Sequence, residues 1–167
     1  KLMSDCVQAV GKMPVNLDTL GIDIAIVSAH KCYAPTGCGA LIIKDTNVLK
    51  PWILGGTQQQ KLRGGTVHVL GVDLFAKGLE YCCQELPNAV DIAAWVKQLK
   101  EGVKNIDIIA SPDQKNQLWN TVSLAVPGKL SHDLMMQCDV NGVAVATGSA
   151  CATGAVSESS TLLAMGY

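Results

Sequence analysis

The sequence predicts an α/β fold, and three stretches carry that expectation. Ile22 to Val27 (Ile-Asp-Ile-Ala-Ile-Val) is an almost unbroken β-branched run, the pattern of a strand buried on both faces of a parallel sheet. Gly39 to Lys44 reads as a second strand, reached through a turn at Pro35 to Gly39. Val69 to Leu86 then places Leu70, Leu74, Phe75, Gly78, Leu79 and Cys82 at helical spacing. Pro87 ends that helix, because it lacks a backbone donor and its ring cannot continue the turn.

The remaining segments fall into place around these three. Asp5 reads as a loop position, leading into a short helical turn through Val7 to Val10. Gly55-Gly56 and Gly64-Gly65 bracket a polar loop. Beyond Pro87 the elements become smaller. Ala89 to Val103 is an amphipathic helix, Ile106 to Ala110 and Thr121 to Val126 are strands, Ser131 to Cys138 is a helix, and Gly142 to Ala146 is a strand. The change of scale places a domain boundary near Pro87, with residues 1–87 on one side and 88–167 on the other. Lys1 is not a start methionine, and a helix is ending at Leu162 to Gly166, so the sequence reads as the middle or back of something longer.

Composition narrows the function classes. Of 167 residues, 49% are hydrophobic and 16% charged, which is a buried globular composition and not that of a disordered chain or a coiled coil. A formal net charge of −1, with no Lys/Arg run, supplies no field for nucleic acid. No apolar stretch is long enough to span a bilayer. The seven cysteines include the adjacent Cys82 and Cys83 but no C-x-x-C pair and no Cys/His spacing of a metal site. A reducing compartment is expected, the cytoplasm or an organellar matrix, with six of the thiols serving as small apolar residues.

Four constellations bear on chemistry. Lys31, in Ser28-Ala29-His30-Lys31, follows the buried run by three small or polar residues, and ligands of parallel sheets sit at the carboxyl ends of strands. A cationic His30 would lower the pKa of the neighbouring amine and favour its nucleophilic form, although most lysines are plain surface charges. Asp5 and Gln8, three apart, share one side of a helical turn. Asp5 either caps that turn or holds a protonated ring nitrogen whose ring oxygen Gln8 bonds. Arg63-Gly64-Gly65-Thr66 offers a guanidinium, backbone amides and a hydroxyl to an anion such as phosphate, or forms an ordinary glycine turn. Cys151 lies in Gly148-Ser149-Ala150-Cys151, where nothing bulky anchors the chain, so its thiol is expected to be accessible and reactive.

Taken together these segments resemble the cysteine desulfurases of the aminotransferase class V group, enzymes that use pyridoxal 5'-phosphate. The resemblance runs through Asp5 to Lys12, Ser28 to Lys31, Gly55-Gly56 through Thr66, and Asn141 to Cys151, in that order. The long small-residue loop after Cys151 favours the branch related to NifS and IscS. The resemblance implies an aspartate-aminotransferase-like fold of type I, with the end of the large cofactor domain and most of the small domain present. It implies that Lys31 carries the cofactor and moves the substrate α-proton, and that Asp5 and Gln8 contact the ring. Ser28, His30 and Thr66 would bind phosphate, Thr66 that of a neighbouring subunit in a homodimer. Cys151 would take sulfur from L-cysteine as a persulfide, leaving L-alanine, for collection by a sulfur acceptor or an iron–sulfur scaffold protein. Two alternatives stay open: a selenocysteine lyase, and a truncated non-catalytic paralogue kept as a dimerisation or scaffold module.

Overall fold

The computed structural model describes residues 1–85, 92–102, 104, 106–109, 118, 120–148 and 160–166. The chain divides into two compact units, one of Lys1–Ile92 with Lys115–Thr121, the other of Ala93–Gln114 with Val122–Tyr167. The boundary expected at Pro87 and the thiol expected to react at Cys151 both lie outside the described residues.

The first unit is built on a mixed three-stranded sheet in the order β1-β2-β3. β1 (Met3–Asp5) runs parallel to β2 (Ile24–Ser28), with Asp5 opposite Ile26. β3 (Gly39–Ile43) runs antiparallel to β2 and places Gly39 opposite Ser28. Asp5 therefore closes a strand instead of sitting in a loop. Three residues are too few to display a period, so this element left no signature. The N-terminal end of β1 is tied down by Asp23, whose carboxylate accepts from the Leu2 amide at 2.7 Å and meets Lys1 at 3.4 Å. The Leu2 amide is the main reason the Asp23 carboxyl sits below its usual range, and Lys1 adds to it.

β2 is the buried element, as its β-branched run predicts. Ile24, Ala25 and Val27 are buried, and since successive side chains point to opposite faces, both faces of the strand are covered. Around them pack Cys6, Ile22, Ala29 and Cys32, with Phe75 and Cys82 from α1 (Val69–Glu85). Phe75 and Cys82 are seven apart, two turns along one face of that helix. β3 differs, with Leu41 and Ile42 both exposed.

The second unit holds α2 (Ile92–Gly102), of which Ile92 is counted with the first unit, then β4 (Asp107–Ile109), β5 (Ser123–Ala125), α3 (Ser131–Val140) and α4 (Ser160–Ala164). β4 and β5 pair antiparallel, Asp107 opposite Ala125. The strand expected at Gly142 to Ala146 does not form: the chain turns at Asn141 and Gly142 and then runs without regular structure. Gly142 adopts φ 76°, a left-handed value that ends α3 and redirects the backbone. Among the described residues, every buried apolar side chain belongs to the first unit.

Candidate active site

The parallel pair β1–β2 brings two of the sequence's candidate groups to one edge. Both strands end there, β1 at Asp5 and β2 at Ser28. The Cys6 amide donates to the Ile26 carbonyl at 2.9 Å, so the register holds one residue past Asp5. Adjacent strands lie about 4.8 Å apart, so Asp5 and Ser28 close neighbouring strands at the same end of the sheet.

After Ser28 the chain forms a tight 3-10 turn, Ala29–Lys31. Ala29 is buried and its amide donates to the Cys38 carbonyl at 3.0 Å, anchoring the turn to the chain entering β3. The two residues that follow it are exposed, so His30 and Lys31 stand out from the sheet edge. Ser28 Oγ and His30 Nδ1 lie 2.8 Å apart, which orients the imidazole and leaves its Nε2 without a hydrogen bond among the described residues. The Lys31 amine makes no ion pair or hydrogen bond among the described residues.

Asp5 is also held at one oxygen and open at the other. Its Oδ1 accepts from the Val7 amide at 2.9 Å, an Asx turn that orients the carboxylate. The segment after it makes two successive turns, the Ala9 and Val10 amides donating to the Cys6 carbonyl and the Lys12 and Met13 amides to that of Ala9. Gln8 turns away from this arrangement in part, since Lys12 Nζ donates to its Oε1 at 3.1 Å and to its backbone carbonyl at 3.2 Å. Its amide N–H groups are the atoms left to a ligand.

Thr66 is exposed and makes no hydrogen bond among the described residues. The loop before it is pinched, since the Gly64 amide donates to the Ile53 carbonyl at 2.8 Å. Arg63 folds back, its Nη1 donating to the Gly64 carbonyl at 2.6 Å. The guanidinium is thus partly spent on its own loop. Gln59, Gln60 and Lys61 within the loop all have positive φ.

One feature of the edge had no signal in the sequence. Tyr33, two residues past Lys31, adopts φ 61°, a left-handed value costing a non-glycine residue about 1–2 kcal/mol. Its ring meets Tyr81 of α1 edge to face, centroids 5.7 Å apart and planes at 85°. Such a pair contributes about 0.5–1.5 kcal/mol, enough to offset much of that strain. No local pattern links positions 33 and 81, because the contact exists only once α1 packs under the turn.

The donor set suits pyridoxal phosphate. A carboxylate with one oxygen open suits a protonated ring nitrogen, an unpaired amine suits a carbonyl, and a hydroxyl with an oriented imidazole suits a phosphate. No group of three or more His, Cys, Asp or Glu side chains among the described residues could hold a metal ion.

Comparison with known proteins decides the lineage. Residues 1–164 match the family model described as aminotransferase class-V. The chain belongs to that family. It is 33% identical over 165 residues to a protein of Dictyoglomus turgidum named cysteine desulfurase IscS, covering 97% of this chain and 42% of that one. Its identity to a cysteine desulfurase of Bradyrhizobium diazoefficiens is 34% over 164 residues, with the same two coverages. Among solved structures it is similar to a NifS-like protein from Rickettsia africae, with TM-score 0.76, 27% identity, and 89% of this chain against 42% of that chain. A second NifS-like protein aligns at TM-score 0.76 with 32% identity, over 87% of this chain and 40% of that one. The fold is the mixed α/β fold of NifS-like proteins, and the chain spans about two fifths of the length of these relatives.

Proposed function

We propose that this class-V aminotransferase chain carries the cofactor lysine and the sulfur-accepting cysteine of a cysteine desulfurase, converting L-cysteine to L-alanine. The observation that carries the reading is the shared edge of β1 and β2, where Asp5 is oriented by the Val7 amide and Lys31 stands unpaired beyond Ser28. When bound, pyridoxal phosphate draws electrons from the substrate α-carbon; Lys31 would hold it covalently, Asp5 and Gln8 at the ring, and Ser28, His30 and Thr66 at the phosphate. Relatives named cysteine desulfurase support the substrate assignment.

The chain's own groups then divide the work. Asp5 keeps a negative charge where a ring nitrogen must stay protonated. Ser28 fixes the His30 ring, so a phosphate meets an oriented donor instead of a rotating one. Lys31 Nζ takes and returns the substrate α-proton. The Cys151 thiolate attacks the substrate sulfur: an S–S bond forms as the carbon–sulfur bond breaks, and the bonding pair stays with carbon. Protonation of that carbon completes alanine. The persulfide sulfur passes to the thiol of an acceptor protein, for iron–sulfur cluster assembly or thiolation. Thr66, with no hydrogen bond among the described residues, is available to the phosphate of a second copy, which makes the homodimer the functional form. The free thiols of Cys6, Cys32, Cys38, Cys82, Cys83 and Cys138 fit a reducing compartment such as the cytoplasm.

The test is covalent mapping in the full-length protein purified with pyridoxal phosphate. Borohydride reduction should fix the cofactor on Lys31, and Lys31→Ala should abolish the adduct; an adduct on another lysine overturns the reading. Cys151→Ser should keep the Lys31 adduct yet form no persulfide when L-cysteine is supplied. A persulfide that mass spectrometry finds first on Cys32 or Cys138 sinks the assignment of Cys151.

A further inference from the structure

We propose that Tyr81 of α1 is a positioning residue for Lys31, acting through Tyr33; the proposal rests on the cofactor role given to Lys31 above. Three residues on one side of α1 meet the three residues that follow the lysine. Gly78 lies against Cys32 and Ala34: a Cβ at this position would run into the Cys32 carbonyl oxygen and come within 3.3 Å of the Ala34 Cβ. Tyr81 meets Tyr33 ring to ring. The Cys82 thiol lies beside that of Cys32, and both border Gly11.

The turn that these contacts brace is the one bearing the lysine. The Cys32 and Ala34 amides both donate to the Ala29 carbonyl, at 2.9 and 3.2 Å, and Tyr33 sits between the two donors at φ 61°. A left-handed aromatic residue holds this course only while something outside the turn retains its ring. Tyr81 is that retainer. Losing it lets Tyr33 relax toward negative φ, which pulls on the carbonyl common to both bonds and swings Lys31, three residues or fewer from every atom involved. The ring pair lies outside the core, Tyr33 being 77% and Tyr81 52% exposed, whereas Phe75 and Cys82 of the same helix are buried. Removing the Tyr81 ring therefore loosens the lysine turn and spares the packing of α1 on the sheet.

The test compares full-length wild-type protein with Tyr81→Ala, Tyr81→Phe and Tyr33→Gly. Hydrogen exchange without cofactor reads the Cys32 and Ala34 amides directly. It should quicken about fivefold to tenfold in Tyr81→Ala and in Tyr33→Gly, with exchange in β2 and the urea midpoint little changed. With cofactor bound, the pH at which the visible absorbance of pyridoxal phosphate on Lys31 changes should move in Tyr81→Ala, and Tyr81→Phe should restore both readouts. Unchanged exchange at Cys32 and Ala34, or exchange raised equally throughout β2, overturns the positioning role while leaving a cofactor mapped to Lys31 intact. Borohydride mapping of the wild type to another lysine instead removes the cofactor reading, and the proposal with it.

Discussion

At the scale of single residues, the thiols separate by environment. Cys32 is 1% exposed and Cys82 also buried, and burial pushes both thiols up from their ordinary pKa. Cys83, the next residue on α1, is exposed. Adjacent helical positions point about 100° apart, and on α1 that turn carries Cys83 out of the core that holds Cys82. The sequence offered no means of choosing between them, and the expectation that both were small core residues fails for Cys83. Iodoacetamide at neutral pH should label Cys83 well before Cys32 or Cys82, as peptide mass spectrometry would show; equal labelling would mean that α1 does not cover them. The sign of the alkaline effect follows as well. A raised thiol pKa in the fold means the unfolded chain ionises first, so these two residues stabilise the fold below the ordinary thiol range and lose that contribution as pH rises from there through the raised folded value.

At the scale of elements, the loop that ends in Thr66 depends on Gly65. Its φ of 106° is closed to other residues, and a Cβ there would come within 2.7 Å of Arg63 Nη1. Gly65→Ala should cost about 1–2 kcal/mol in urea unfolding and displace Thr66. An unchanged midpoint would show that the loop reaches another conformation at no cost. The glycine pairs were legible as loop brackets, and the loop is closed between them. Two other expectations at this scale met structural reasons to fail. β1 is too short to show a period, and it takes its place from pairing with β2. Gly142 to Ala146 has a strand composition, yet among the described residues it has no partner strand, and composition alone cannot supply one.

At the scale of the whole molecule, large apolar side chains stand in the open. Trp52 is 94% and Leu54 80% exposed, and Leu41, Ile42, Val69 and Leu70 join them in the first unit. Burial of such groups is worth about 1.5–3 kcal/mol each, so water does not hold them exposed at low protein concentration cost-free. The 167-residue chain by itself should self-associate or bind the dye ANS, and should release little alanine or sulfide from L-cysteine beside the full-length protein. Size-exclusion chromatography and the two product assays decide this. A monodisperse, dye-silent chain that turns over as fast as the longer one would show the exposed faces to be its ordinary surface. Among the described residues no helix is long and apolar enough to cross a membrane.

What the sequence determined by itself was local. The β-branched run made β2 a buried strand, helical spacing made α1, and four short motifs in order identified the family. These signals are legible because each is carried by neighbours along the chain, through period, turn chemistry and steric preference. Tertiary structure alone decided which groups meet. It brought Asp5 to the edge where β2 ends, left one of two adjacent thiols exposed, and set Tyr81 against Tyr33 beside the lysine. Each of these depends on strand pairing or helix docking between segments distant in sequence, and the energy of such contacts is not written in either segment alone.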